Sequence, residues 1–595
     1  MYWRYFMWNF SGRQNDIQGY GDIMHGNWIT GIKFLDELRL GNQDELPDNL
    51  KNEKANNKYY MLPFLLGLLG MFYQYRKGKT GKQDFWVVML LFIMTGIAII
   101  VFLNQTPMEP RERDYAYAGS FYAYAIWIGL GVLSIWEFLN KKIKNIDPRV
   151  SAIAVTTVCL FAIPVNMAAQ NWDDHNRHAR YATTAHARNY LNSCAPNAIL
   201  FTYGDNDTFP LWYVQEVEGV RRDVRVVNLS LLSGSWYIDQ MKRKAYESSG
   251  VPISFTHEQY RDGKRDYVLI RDQFKEGNLK DVMEFVASDL PQTKLQGYIK
   301  ELDFIPTRNV ILPVDSAKVI ANGTVKPQDA DQIVKDLRLH LPMQGLTKSQ
   351  LMVLDILSTN NWERPVYFGI GLGSDAYMGL EKYFQLEGAA YRVVPIETKE
   401  AEFYDYGRID SDILYDNIMN KFEWGNIKDP KVNIDFFHDQ TIAVMKYRNT
   451  FLRLAQKLYD EGKQAEAVAV LDKSLEEIPL YQVPADNSML FYIPMYYELG
   501  ETEKANHLLN ELATNNYQML KYANSLEPKF ANTPSIQQEE RLSIEVIKQL
   551  LAFATQAGQK ELAQELQDKV LRLYNPSHIS PDKPLMKDTA DKAGK

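Results

Sequence analysis

Four long apolar segments interrupt the mixed polar and apolar pattern in the first third of the chain. They are residues 59–75, 85–103, 115–136 and 150–170. A membrane core about 30 Å thick requires roughly 20 apolar residues in a helix, and about 17 is the lower limit. Each segment therefore predicts a transmembrane helix, although the first only just reaches that limit.

Charges in the loops between these segments predict an orientation. The loops RKGKTGK and NKKIKNIDPR each contain four Lys or Arg residues, whereas NQTPMEPRERD balances two Arg residues against three acidic ones. Short basic loops remain in the cytoplasm. We therefore expect a multi-pass protein of the cytoplasmic (inner) membrane, with residues 1–58 and a large C-terminal domain in the periplasm.

Residues 1–58 are predicted to form an extracytoplasmic loop or interfacial segment. The start MYWRYFMWNF is rich in aromatic residues, which are typical of a membrane interface. It lacks the short apolar core and the small-residue cleavage site of a signal peptide. Because a preceding membrane span would explain how this segment reaches the outside, we expect the chain to be the C-terminal part of a larger protein.

Residues 171–400 show the pattern of an α/β domain. The run NAILFTY predicts a buried strand, DTFPLWYVQEVEGV a helix and DVRVVNLSLL a second strand, which together make a parallel βαβ unit. Further on, RPVYFGIG and YRVVPI predict strands, whereas KSQLMVLDILSTN and YMGLEKYFQLEG predict helices. We expect this extracytoplasmic domain to follow the membrane helices directly.

The C-terminal region is predicted to be helical. Residues 401–448 are interpreted as a linker, 449–576 as TPR-like helical repeats and 577–595 as a disordered tail rich in Lys, Asp and Pro. In GKQAEA, GETEKA and GQKELA a glycine precedes an alanine by five residues, which indicates degenerate helical hairpins. Such a stack either holds a partner peptide or braces the α/β domain.

The predicted fold class is thus a membrane α-helical protein with about four transmembrane helices, an extracytoplasmic α/β domain and a TPR-like repeat region. The mean hydropathy of -0.33 conceals the membrane segments. The net charge of -8, without a basic stripe interleaved with aromatic residues, argues against a nucleic-acid partner. Two cysteines are too few for a disulfide framework.

The stretch YGDNDTFPLW carries the first candidate site. It follows the first predicted strand of the α/β domain, where ligands usually bind, so we expect Asp205, Asn206 and Asp207 at a polar cleft. In one interpretation Asp205 and Asp207 hold a divalent metal against a diphosphate. In the other, Asp207 or Thr208 caps a helix that begins near Phe209. Caps are commoner than metal sites.

A second group of candidates, Asp173, Asp174 and His175, lies in NWDDHNRHARYATTAH. On one helix, Asp174 would share a face with His178, and His175 with His186, so that a zinc site is one interpretation. A solvated helix next to the membrane is the commoner alternative.

A third group lies in PMEPRERDYAYAGSFY, at the mouth of a predicted span. Arg111, Glu112, Arg113 and Asp114 alternate in charge there. Charges so close to a bilayer are costly unless they are paired or used. Either a functional site or a mutual lattice of salt bridges at the water interface fits this pattern.

Long motifs across residues 1–400 resemble a known family. They include RYFMWNFSGRQNDIQG, QTPMEPRERDYAYAGSFYAYAIWIGLGV, NWDDHNR, LFTYGDNDTFPLWYVQEVEGVRRDVRVVNLSLL and NNWERPVYF. These are similar to large multi-pass membrane proteins of Bacteroidota classed with glycosyltransferase family 117, which also holds a vertebrate transmembrane protein O-mannosyltransferase. The resemblance implies a GT-C type enzyme that passes a sugar from a lipid-phosphate donor to a protein or glycan acceptor outside the cytoplasm.

The resemblance also implies roles for the charged loop. Transfer requires a base for the acceptor hydroxyl, and positive charge or a divalent metal for the departing phosphate. We expect Arg111 and Arg113 to hold the phosphate, with Glu112 and Asp114 orienting them. The family's catalytic acidic residue would lie upstream of Met1, so no catalytic residue is assigned.

Two alternatives to this enzyme remain. One is a non-catalytic envelope scaffold, anchored in membrane lipid, whose α/β and TPR-like domains bind protein or glycan. The other places enzyme activity in the α/β domain, with a metal at GDNDT.

Overall fold

The computed structural model describes most of the chain as two compact units. The described residues are 2–19, 21–104, 113–143, 146–295, 302–398, 406–435 and 445–574. The first unit combines Met1–His178 with Pro484–Lys595, and the second unit is Ala179–Val483. The second unit is therefore inserted, in sequence, within the first.

The N-terminal part of the first unit is mainly helical. Its helices are α1 (Tyr2–Phe10), α2 (Lys33–Leu40), α3 (Asp48–Lys51), α4 (Leu62–Arg76), α5 (Gly78–Met94), α6 (Ile97–Leu103), α7 (Ala118–Lys142), α8 (Pro148–Leu160) and α9 (Asn166–Gln170). Strands β1 (Gly12–Arg13) and β2 (Asn57–Lys58) pair antiparallel.

Three helical stretches among the described residues are long and apolar enough to cross a membrane. They are Gly78–Leu103, Tyr115–Lys142 and Pro148–Gln170, which contain the second, third and fourth predicted spans. The first predicted span is instead α4, with 15 residues. At 1.5 Å per residue it reaches only about 22 Å, short of the membrane core. The three long helices support membrane association.

Helices α4 and α7 pack unusually closely. A Cβ at Gly70 would meet the carbonyl oxygen of Trp127 at 1.8 Å, so the two backbones touch only because residue 70 has no side chain. Two hydrogen bonds join the same helices. Tyr124 Oη donates to Phe64 O at 2.7 Å, and Trp127 Nε1 donates to Gln74 Oε1 at 2.8 Å. Small residues that allow such approach are typical of membrane helix pairs.

The C-terminal helices complete the first unit. They are α21 (Met489–Glu498), α22 (Thr502–Ser525), α23 (Pro528–Ala531), α24 (Pro534–Gln556) and α25 (Lys560–Tyr574), numbered after the 11 helices of the second unit given below. Met519, Tyr522 and Phe530 pack in one apolar core with Met24 and Leu40 from the N-terminal segment. Segments from the two ends of the chain therefore share a core.

A six-stranded mixed sheet forms the centre of the second unit. Its spatial order is β15 (Arg408–Ile409), β13 (Phe384–Leu386), β14 (Ala390–Val393), β12 (Val366–Gly369), β3 (Ile199–Thr202) and β4 (Arg225–Asn228). Strand β3 runs parallel to both neighbours, which confirms the predicted βαβ unit. Every residue of the four strands from β14 to β4 is buried, as expected where both faces of a sheet are covered.

Two smaller sheets, of three and four strands, and several helices also belong to the second unit. The remaining strands are β5 (Tyr267–Ile270), β6 (Gly277–Asn278), β7 (Lys294–Leu295), β8 (Leu302–Ile305), β9 (Asn309–Pro313), β10 (Asp336–His340) and β11 (Gly345–Thr347). The helices are α10 (Ala182–Asn192), α11 (Gly204–Glu216), α12 (Ser235–Met241), α13 (His257–Tyr260), α14 (Leu279–Ala287), α15 (Ser316–Ala321), α16 (Lys348–Asn360), α17 (Ser374–Tyr377), α18 (Ser411–Asp416), α19 (Met445–Asp460) and α20 (Gln464–Glu477).

Two predictions about the second unit are wrong. The segment YMGLEKYFQLEG was predicted as a helix, but it contains a short turn and strand β13, which pairs antiparallel with β14. Its Tyr383, Phe384 and Leu386 are buried in the sheet, so tertiary packing outweighs local helical spacing. Residues 401–448 were predicted to form a linker, yet the described residues among them supply the edge strand β15 and helix α18.

The predicted helical hairpins are present, but they belong to both units. Gly462, Gly500 and Gly558 lie in the turns of α19–α20, α21–α22 and α24–α25, each with φ between +73° and +79°. Glycine adopts this left-handed conformation without strain and commonly ends helices. The first hairpin lies in the second unit and the other two in the first, so residues 449–576 are not one compact unit.

Candidate functional site

The candidate site lies at the carboxyl ends of β3 and β12. These strands are parallel neighbours. From β3 the chain passes through α11 to β4 on one side, whereas β12 lies on the other side of β3. In open α/β sheets, ligands bind at such a point, where the chain leaves neighbouring strands in opposite directions.

Helix α11 begins at Gly204, directly after β3. The prediction that Asp207 or Thr208 caps a helix near Phe209 is therefore wrong. Gly204 has a φ of +72°, which only glycine adopts readily, and it turns the chain into the helix five residues earlier. The N-cap position is Tyr203, and no side chain caps the helix.

Thr208 instead fastens the start of α11 to the sheet. Its hydroxyl lies 2.8 Å from Thr202 Oγ1 and accepts a hydrogen bond from Asn228 Nδ2 at 2.9 Å. Thr202 ends β3 and Asn228 ends β4, so one side chain joins the helix to both strands. Asp205 and Asp207 lie in the first turn of α11, where the helix dipole favours negative charge.

Asp207 belongs to a group that we call the inner cluster, formed by His186, Tyr190, Asp207, Lys446 and Tyr447. All of these are buried except Lys446, whose side chain is 30 % exposed. Asp207 is 7 % exposed, and Lys446 Nζ lies 3.8 Å from its Oδ1. Burial raises the pKa of Asp207, and the charge of Lys446 opposes that effect. A Cβ at Gly371, in the loop after β12, would lie 2.6 Å from Lys446 Nζ and 2.9 Å from Asp207 Oδ2.

His186 and Tyr190 lie one turn apart on α10 with stacked rings, whose centroids are 5.4 Å apart. His186 Nδ1 lies 2.8 Å from the Tyr447 hydroxyl. Within the described part of the chain, His186 Nε2 and the Tyr190 hydroxyl have no hydrogen-bond partner. Burial lowers the pKa of His186 to about 3 and raises that of Tyr190, so both side chains are neutral at physiological pH.

A second space, which we call the outer cavity, opens on the exposed side of α11. Its volume is about 360 Å³. It is lined by Thr183, Thr184, Asp205, Asn206, Phe209, Pro210 and Tyr213. Asp205 and Asn206 are exposed, whereas Asp207 is buried in the inner cluster.

The structure separates the two carboxylates of the GDNDT stretch. Residues two apart on a helix do not share a face, so Asp205 lines the outer cavity and Asp207 does not. The arrangement gives no support to a metal held by both. Asp205 is exposed and does not pair with Arg221 or Arg222, which form ion pairs with Asp223 and Glu247.

Asp173, Asp174 and His175 belong to the first unit, whereas the GDNDT stretch belongs to the second. Helix α10 begins at Ala182, so Asp174, His175 and His178 precede it and the predicted shared helix faces do not form. Asp174 is ion-paired with Arg13, and its Oδ1 lies 2.9 Å from His175 Nδ1. This contact raises the pKa of His175, and partial burial opposes that effect.

Asp173 is exposed beside Asp174. Among the described residues, no group of three or more His, Cys, Asp or Glu side chains is arranged to hold a metal ion.

The charged loop before the span Tyr115–Lys142 is only partly described. Arg111 and Glu112 lie outside the described residues, and so does the side chain of Asp114. Arg113 is exposed and directly precedes the turn Asp114–Tyr117 that leads into α7.

Several residues of the site have no signal in the sequence. Lys446 and Tyr447 reach the inner cluster from α19, far along the chain from GDNDT.

In the first unit, burial and then the charge of Asp16 raise the pKa of Glu53 to about 7. That perturbation depends on tertiary surroundings that spacing alone does not reveal.

Residues 183–413 match the family model described as TMEM260-associated domain 2. The matched stretch begins within α10 and ends within α18, so the TMEM260-associated domain contains the whole six-stranded sheet and the outer cavity. Of the inner cluster, Lys446 and Tyr447 lie beyond it. No curated protein and no solved structure matches the chain. The chain is therefore similar to a TMEM260-associated domain over residues 183–413, and its apolar helices support membrane association.

Proposed function

We propose that the chain belongs to a membrane glycosyltransferase of GT-C type, which transfers a sugar from a lipid-phosphate donor to an extracytoplasmic protein or glycan acceptor. The observation that carries this proposal is the TMEM260-associated domain at residues 183–413, in a chain that also has three membrane-length apolar helices. The domain presents an open cavity at the ligand-binding edge of its sheet, as an acceptor site requires.

The reaction assigns separate tasks to the two ends of the sugar. The acceptor hydroxyl oxygen bonds to the anomeric carbon, and its proton passes to a base. The bond from that carbon to the phosphate oxygen breaks, and its electron pair stays on the lipid phosphate. Donor binding therefore requires positive charge at the membrane surface, and acceptor binding requires a site outside it.

Arg113 is suited to the donor. It is exposed immediately before the turn that starts the membrane stretch Tyr115–Lys142. If Tyr115–Lys142 spans the membrane, a guanidinium at this position lies near the level of the lipid phosphates, whose oxygens it can bind through two parallel hydrogen bonds. We propose that Arg113 holds the donor phosphate together with Arg111, on the periplasmic side of the inner membrane.

Deletion of the gene in the source organism tests this function. Mass spectrometry of the periplasmic and envelope proteins should show loss of one sugar modification, which returns with the wild-type gene. Complementation with Arg113→Ala should restore it at least about tenfold less well. Arg149→Ala is the matched control, because it replaces an arginine in a loop predicted to be cytoplasmic. This variant should restore the sugar modification fully. Unchanged glycans after deletion overturn the proposal, and envelope defects with intact glycans favour the scaffold alternative.

A further inference from the structure

We infer that the outer cavity of the TMEM260-associated domain binds a neutral pyranose unit of a glycan. The inference deepens the proposed function and rests on it only for identifying this glycan as the acceptor. Binding itself is a property of the cavity and is measurable without transfer.

Two aromatic rings form one wall of the outer cavity. Phe209 and Tyr213 lie one turn apart on α11 and are 49 % and 48 % exposed. Trp212 stacks on Phe209 with centroids 5.3 Å apart and an interplanar angle of 22°, which supports the phenyl ring. The face of an aromatic ring carries partial negative charge, so it attracts the weakly positive C–H face of a pyranose.

Four polar side chains stand beside these rings. Within the described residues, the side chains of Asp205, Asn206, Thr183 and Thr184 make no hydrogen bond or ion pair with the protein. A carboxylate offers only acceptors, an amide offers both donors and acceptors, and a hydroxyl offers each. Vicinal sugar hydroxyls need this mixture, because each of them donates and accepts.

The charge of the lining selects the class of sugar. Asp205 is the single charged residue among the seven that line the outer cavity, and none of the seven is Lys, Arg or His. A phosphate, a nucleotide sugar or an acidic sugar would meet a carboxylate without a compensating cation. The cavity therefore favours an uncharged sugar.

The volume limits the size of the ligand. About 360 Å³ lies near the lower end of the range of about 300 to 1,000 Å³ for small-molecule sites. One sugar unit fits inside such a cavity, and the rest of a longer glycan would extend into solvent past the exposed rings.

Saturation-transfer difference NMR on the full chain tests the inference. The protein is placed in lipid nanodiscs free of detergents with sugar headgroups, which would otherwise occupy the site. The probes are the methyl glycosides of mannose, glucose and galactose, together with N-acetylglucosamine. UDP-glucose serves as the charged probe. We expect millimolar or tighter binding of at least one neutral sugar, with the strongest signals from its ring C–H protons.

Variants separate this cavity from others. Phe209→Ala, Tyr213→Ala and Asp205→Ala should each weaken binding at least about tenfold. The matched controls Phe274→Ala and Asp262→Ala replace exposed residues of the same unit elsewhere and should leave binding unchanged. Thermal unfolding of each variant confirms that it is folded. Absence of signal from all neutral probes, or equal signal from Phe209→Ala, overturns the inference, as does preference for UDP-glucose.

The result is distinguishable from a failure of the proposed function. If cavity variants lose sugar binding and gene deletion leaves glycans unchanged, the inference stands and the transferase proposal fails. If deletion removes a glycan while cavity variants bind sugar normally, the transferase proposal stands and the inference fails.

Discussion

The hydroxyl of Tyr190 lies so close to the α-carbon of Gly369 that a methyl group at position 369 would stand 1.7 Å from it. Tyr190 projects from α10, and Gly369 is the last residue of β12, at the edge of the sheet that carries the candidate site. The contact fixes where the loop after β12 begins. Tyr377 Oη strengthens it by donating a hydrogen bond to Gly369 O at 3.0 Å.

The first prediction concerns this contact. Gly369→Ala should destabilise the second unit by about 1 to 3 kcal/mol, because the added methyl group overpacks a buried position. Tyr190→Phe should be nearly neutral, since it removes a buried hydroxyl that has no hydrogen-bond partner among the described residues. The double variant should recover part of the stability lost in Gly369→Ala, because Tyr190 Cζ and Leu372 Cδ1 would still lie 2.8 and 2.9 Å from the added methyl group. Unfolding midpoints in denaturant measure all three, and additive losses would contradict the contact.

A second prediction concerns the pH dependence that His186 imposes. Burial first, and the charge of Lys446 second, lower its pKa to about 3, from a usual value of 6.5. Between those values the unfolded chain binds a proton that the folded chain does not. The stabilising contribution is therefore present above pH 6.5 and is lost as the pH falls toward 3, by about 1.4 kcal/mol per pH unit.

Replacement of His186 tests that slope. In His186→Phe the stability should fall less steeply between pH 6 and pH 4, whatever its value at neutral pH. His340→Phe, at an exposed position of the same unit, is the control. Equal slopes in wild type and His186→Phe would show that His186 becomes protonated without unfolding.

A third prediction concerns Asp207. Burial raises its pKa above the usual value of 3.8, so its stabilising contribution is present below pH 3.8 and is lost as the pH rises through the folded pKa. Asp207→Asn should therefore raise the unfolding temperature at pH 7 and lose this advantage near pH 3. If Asp207 capped the helix, its replacement would instead lower the unfolding temperature at pH 7. Asp205→Asn, at the exposed neighbour, should change little at either pH.

Lys446 provides an independent check on Asp207. Lys446→Met removes the ammonium group that lowers the pKa of Asp207. We expect the pKa of Asp207 to rise further and stability at pH 7 to fall, with recovery in the double variant with Asp207→Asn. Loss of stability in Lys446→Met that Asp207→Asn does not reduce would contradict a coupled pair.

A fourth prediction concerns the α4–α7 pair. Gly70→Ala should weaken the pair, because the new Cβ would meet a backbone oxygen that no side-chain rotation can move. Gly129→Ala on α7 is the matched control, since a Cβ there has no atom within 4 Å. Thermal unfolding in nanodiscs should show a lower midpoint for Gly70→Ala alone. Equal unfolding midpoints would show that the close contact between α4 and α7 does not stabilise the protein.

The local sequence pattern was sufficient to predict the strands in which every residue is buried. The runs AILFT and VRVVN predicted β3 and β4 because all four residues of each strand are buried. The start of α11 was not predicted because the neighbouring residues do not determine the φ of Gly204. Strand β13 was missed because its alternation is short and its partner β14 supplies the hydrogen bonds.

The sequence likewise predicted some residues of the candidate site and not others. Asp205 and Asn206 could be placed at the edge of the sheet from the strand that precedes them. The aromatic wall of Phe209 and Tyr213 was visible as helical spacing but looked like an ordinary apolar helix face. Lys446 and Tyr447 could not be foreseen, because only the folded chain brings α19 to the end of β3.

The shared core of Met24 and Leu40 with Met519 and Phe530 has a consequence for biosynthesis. The N-terminal segment leaves the ribosome long before its partner helices exist. At about 5 to 20 residues per second, synthesis of the intervening chain takes roughly half a minute to a minute and a half. During that interval the N-terminal segment lacks its partners Met519 and Phe530, so its apolar side chains stay exposed to proteases until α22 and α23 are made.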